Sequence, residues 1–72
     1  MYQLDLSGLN CPMPVLHTKK FMATIVSGEI VSITTTDPDS STDLQIFCEK
    51  TKNILINQII ENSIIITTIQ KR

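Results

Sequence analysis

The chain is short of aromatic rings, histidine and cysteine, and each scarcity closes a class of function. One tyrosine, two phenylalanines and no tryptophan offer few platforms on which bases could stack. A formal net charge of −1 gives no overall attraction to a phosphate backbone, so direct nucleic-acid binding is not expected. One histidine and two cysteines do not make a four-ligand zinc set. No cofactor is suggested. There is no run of about 18 apolar residues, and no basic segment leads into an apolar one. That pattern predicts neither export nor membrane insertion, and a cytoplasmic protein whose thiols stay reduced. The lysines gather only locally, at Lys19–Lys20 and again at Lys50, Lys52 and Lys71–Arg72, the pattern of solvated faces.

What the chain has in quantity is β-branched apolar residue. A hydrophobic content of 42% supplies a core that needs neither metal nor disulfide staples. Seventy-two residues bury only about 60% of the unfolded surface, which allows one small domain over residues 1–72 and excludes a second core.

Tyr2, Leu4 and Leu6 alternate with Gln3 and Asp5, the period of a half-buried strand. From Pro12 to about Val26 the period becomes helical, with Val15, Leu16, Met22, Ala23, Ile25 and Val26 in one arc and Gly28 as the stop. Lys19 falls inside that arc, its stem covering apolar surface and its head either snorkelling out or leaning back toward a carboxylate or the cysteine edge. Glu29 to Thr36 reads as a second strand ended by Asp37-Pro38-Asp39. Ser40 and Asp43 match a capping box that opens a second helix, on which Leu44, Phe47, Cys48 and Thr51 share a face. Ile54–Ile60 and Ile64–Ile69 are two strands joined as a hairpin through Glu61-Asn62-Ser63.

The order is β-α-β-α-β-β. It predicts a two-layer α/β sandwich, a mixed four-stranded sheet with both helices on one face and right-handed crossovers. The loops carrying Cys11 and Asp37 then leave the carboxyl ends of two parallel strands, the edge where α/β proteins build sites.

Cys11 stands in Leu9-Asn10-Cys11-Pro12-Met13-Pro14. As the N-cap it would place Pro12 at N1 and Pro14 at N3, positions without intrahelical N–H partners. Its sulfur would then accept a hydrogen bond from the Met13 N–H, and the positive end of the helix would lower its pKa. Met13 precedes a proline, however, and is pushed from the α region, so the alternative is a helix that opens at Pro14 with Cys11 in the loop. Inert roles as cap or core filler compete with both. His17, six residues on and about 120° around a helix, lies out of reach of the sulfur, so no Cys/His dyad is available. Cys48 reads as a packed thiol. Asp37, Asp39 and Asp43 form an acidic group that would raise a neighbouring thiol's pKa, although turn and cap roles account for them too.

Leu6-Ser7-Gly8-Leu9-Asn10-Cys11-Pro12-Met13-Pro14-Val15-Leu16, followed by Gly28-Glu29, Asp37-Pro38, Asp43, Phe47 and Cys48, resembles the TusA/SirA-like sulfur-carrier family along essentially the whole chain. The resemblance implies the same β-α-β-α-β-β sandwich. It also implies that Cys11 accepts a persulfide from a cysteine desulfurase and relays it to an acceptor protein, in some members toward thiolation of tRNA wobble uridine. Pro12 and Pro14 would set the geometry, with Met13 at the variable position. Such a protein is a monomeric carrier rather than a stand-alone enzyme, since its partners supply acid, base and substrate pocket. The alternatives are a thiol-redox or regulatory protein and a nucleic-acid-binding or scaffold domain without chemistry. Lys52-Asn53 departs from a Gly/His-containing turn in familiar members of the family.

Overall fold

The computed structural model describes residues 1–72, and its elements follow the expected order: β1 (Tyr2–Asp5), α1 (Met13–Met22), β2 (Ile30–Thr35), α2 (Ser40–Thr51), β3 (Ile54–Glu61) and β4 (Ile64–Gln70). They form one four-stranded mixed sheet in the order β1-β2-β4-β3. β1 lies parallel to β2, with Leu4 opposite Ile33, and β4 runs antiparallel to both β2 and β3.

Alternation decides which face of the sheet is covered. Val31, Ile33 and Thr35 of β2 and Ile65, Thr67 and Ile69 of β4 are buried, while their neighbours in each strand are less so. Of these, Val31, Ile33 and Ile69 meet Met22, Ile25, Leu44, Phe47 and Cys48 in one core, so both helices lie on the same side. The hairpin closes through Asn62 and Ser63, both in the left-handed region that such two-residue turns demand.

Two local expectations are corrected. The first concerns α1, which ends at Met22 with Ala23 as its C-cap rather than running to Val26. Lys71 reaches across from the end of β4, and its ammonium donates to the Met22 and Ile25 carbonyls at 2.7 and 2.6 Å. A cation among the last free carbonyls satisfies them and complements the helix dipole there, so the chain turns before Val26 can join the stripe. The buried positions of α1 are accordingly Pro14, Thr18 and Met22, one turn apart, while Leu16 and Val26 are 50% and 68% exposed. Gly28, at φ +91°, serves the turn into β2 and is not the helix stop.

The second correction is the capping box. The N-cap of α2 is Asp39, and it makes no side-chain cap. Ser40 Oγ instead donates to the Asp37 carbonyl at 2.6 Å and meets Thr35 Oγ1 at 2.6 Å, stitching the end of β2 to the start of α2. Asp43 is thereby free for another contact.

β3 forms as the strand expected, and a bulge between Leu55 and Asn57 resets its alternation. Gln58 turns inward as a result. Its amide is satisfied by the Ser41 carbonyl, Thr67 Oγ1 and the Gln45 side chain, so a polar residue is tolerated under the sheet.

Thr18 is the one buried side chain whose polar atom lacks a hydrogen-bond partner. Thr18→Val keeps the shape and removes the stranded hydroxyl, and valine and threonine have similar helix propensities. It is expected to raise stability by about 1 kcal/mol, read as a higher urea midpoint at unchanged slope.

Candidate functional site

Two loops meet at the carboxyl ends of β1 and β2, and what binds them together is Asp37. Its Oδ2 accepts the Cys11 backbone N–H at 2.5 Å, while its Oδ1 accepts the Asp39 N–H at 3.2 Å in a local turn. Gly8 N–H adds a 2.8 Å bond to Thr36 Oγ1 between the same loops. The parallel pairing of the first two strands expected from sequence therefore does bring Cys11 and Asp37 together, and the seating of α2 brings in Asp43.

Cys11 is exposed, and it is not the helix cap. Pro12 is the N-cap and Pro14 the second helical residue, so the start of the helix is missing two of its N–H donors. The Met13 N–H, expected to reach the sulfur, goes to the Asn10 carbonyl at 2.8 Å. The sulfur is itself the donor, with Sγ 3.1 Å from Asp43 Oδ2 on the first turn of α2.

That contact reverses the expected electrostatics. The Cys11 thiol is pushed up to about 11 from an ordinary 9.0. The hydrogen bond to Asp43 is the chief cause, followed by lost hydration and then by the charges of Asp43, Asp37 and Asp39. Three carboxylates outweigh the dipole of a helix whose first donors are deleted by proline. At neutral pH the empty site holds a neutral thiol.

Around the sulfur runs a groove of about 410 Å³ between the helices, with Cys11, Pro12 and Asp43 at one part and Val15, Ile46, Phe47, Lys19, Lys50 and Thr51 along the rest. Lys19 thus stands on the same groove as the cysteine. His17 does not, and lines a separate shallow surface with Met13, Leu16 and Lys20. Met13 is 40% exposed beside the motif, whereas Leu9 packs against the core. Cys48 is buried, as its helix face predicts, and burial pushes its thiol up to about 11.

The sequence offers Asp43 two roles, a helix cap and a member of an acidic group that raises a neighbouring thiol's pKa, and the structure sets the cap aside and keeps the second. The spacing of Asp43 from Ser40 suits a cap, and only the seating of α2 against the Cys11 loop shows that it serves the sulfur. No three His, Cys, Asp or Glu side chains are placed to hold a metal ion, and no helix is long and apolar enough to cross a membrane.

A solved SirA-like protein from Desulfitobacterium hafniense superposes with a TM-score of 0.83 at 28% identity, over 97% of this chain and 96% of its own. The sulfur carrier protein TusA of Allochromatium vinosum is 43% identical over 54 residues, 75% of this chain and 71% of its own length. The putative sulfur carrier protein YrkI of Bacillus subtilis is 38% identical over 68 residues, 94% of this chain and 91% of the relative. The family described as sulfurtransferase TusA matches residues 2–71. With the fold, the Cys-Pro-Met-Pro loop and nearly every residue accounted for, the chain belongs to the TusA family.

Proposed function

We propose that residues 1–72 act as one sulfur-carrier unit, in which Cys11 takes a sulfane atom from a cysteine desulfurase and relays it to an acceptor protein. The observation that carries this reading is the exposure of Cys11 at the mouth of an apolar groove, in a chain whose relatives are named sulfur carriers. Carrying sulfur asks little of the carrier beyond one accessible cysteine, because acid, base and substrate pocket come from the partners. The neutral thiol and the lack of a histidine on the groove both suit that division of labour. Thiolation of tRNA wobble uridine is the route the family resemblance implies, with the protein in the cytoplasm. The burial of Cys48 favours a one-thiol carrier over a protein that cycles between thiol and disulfide.

Incubation with a cysteine desulfurase and cysteine is expected to add one sulfur atom to the intact protein by mass spectrometry. Cys11→Ala should lose the adduct completely and Cys48→Ala should keep it. An adduct that persists without Cys11, or that never forms, overturns the reading.

A further inference from the structure

The contact between Cys11 and Asp43 distinguishes two chemical states of the sulfur. A carboxylate only accepts hydrogen bonds, so the 3.1 Å contact requires that Sγ carry its hydrogen. Attachment of a sulfane atom removes that hydrogen and sets a new atom about 2 Å beyond Sγ. Resting on the carrier reading above, we infer that Asp43 is a positioning residue that anchors the empty Cys11 thiol and releases the sulfur once it is loaded.

The surroundings support both halves. The charges that bear on the sulfur are Asp43 from α2 and Asp37 and Asp39 from the loop before it, all negative. Lys19 of α1 and Lys50 of α2 line the same groove. A neutral thiol is held by this arrangement, whereas an anionic terminal sulfur faces three carboxylates and is turned away from them. Space for it exists along Val15, Ile46 and Phe47. Asp37 can hold the loop throughout, because its bond is to the Cys11 backbone N–H and does not depend on the state of the sulfur.

The transfer balances without an oxidant. Sγ bonds to the outer sulfur of a donor persulfide, the donor's S–S bond breaks, and its electron pair leaves on the donor's inner sulfur. The Cys11 proton ends on that leaving sulfur, so a thiol and a persulfide anion give a persulfide anion and a thiol. Leaving Asp43 is part of the step, because the bond to the carboxylate lapses with the proton.

Two measurements on the full chain test this. The rate of Cys11 alkylation by iodoacetamide, followed by mass spectrometry against pH, should rise at least about tenfold at pH 8 in Asp43→Asn, one pKa unit of extra thiolate. Asp43→Glu should restore part of the protection, and the urea midpoints recorded alongside identify any variant that has merely unfolded. In protein with ¹³C-labelled aspartate, loading with inorganic polysulfide should move the Asp43 carboxyl resonance toward its position in Cys11→Ala. Identical alkylation profiles for wild type and Asp43→Asn, or a carboxyl resonance indifferent to loading, would overturn the inference and leave the carrier reading intact. If polysulfide leaves no adduct on Cys11, the carrier reading and the release step fall together, while the alkylation profile still decides the anchor.

Discussion

Leu44→Ala is expected to cost about 2–5 kcal/mol, the range for truncating a fully buried leucine whose surroundings relax only in part. Leu44 has no exposed surface and sits in the core with Val31, Ile33 and Ile69, so the residue fastens α2 to the two central strands. A chain of 72 residues has a total stability of roughly 4–11 kcal/mol, so this single change removes a large share of it. Ile46, two residues further along the same helix, is 46% exposed on the groove, and Ile46→Ala should cost less than about 1 kcal/mol. Urea titration of the two variants checks the contrast, and equal shifts in midpoint would show that Leu44 is not the fastening point. Asp43 immediately precedes Leu44, so the helix turn that presents a carboxylate to Cys11 is held by that same packing. Protection of Cys11 from alkylation should therefore be lost in the same urea range as the fold.

How far the site could be read from sequence depends on the distance between the interacting residues. The order of elements was legible because each carries its own period: alternation over Tyr2–Leu6, a helical arc after Pro12, and β-branched runs on either side of Asn62-Ser63. The meeting of Cys11 with Asp37 was legible one level up, since two parallel strands must place their carboxyl-end loops side by side. What the local pattern misreported was settled by partners far along the chain. Lys71, 49 residues from Met22, ends α1 early. Thr35 and the Asp37 carbonyl claim Ser40, which leaves the Ser40/Asp43 spacing without a capping box. The bulge that turns Gln58 inward leaves no signature in a run of isoleucines. The largest consequence falls on Cys11. A helix start ahead of prolines suggests an acidified thiol, yet the two prolines remove the donors that would acidify it, and Asp43, 32 residues away, supplies the opposite influence.

The two cysteines reach similar values of about 11 for different reasons, and alkaline unfolding separates them. Cys48 is raised by burial alone: its sulfur is packed on the inner face of α2, where water cannot solvate a thiolate. In the unfolded chain it ionises near the ordinary 9.0. Between pH 9 and 11 the unfolded state has therefore given up a proton that the folded state keeps, and stability falls as pH rises through this window. Below pH 9 the contribution is fully present. Its size is at most about 3 kcal/mol, two pKa units at about 1.4 kcal/mol each. Cys48→Ala shifts the urea midpoint at pH 7 through lost packing, but its distinctive effect is on the slope: the decline from pH 9 to 11 should flatten by that amount relative to wild type. Cys11→Ala flattens the same window through a different cause, the loss of a thiol that the Asp43 carboxylate holds protonated, and Asp43→Asn should mimic it while leaving the contribution of Cys48 untouched. If Cys48→Ala declines as steeply as wild type across that window, burial of the Cys48 sulfur does not hold its proton in the fold.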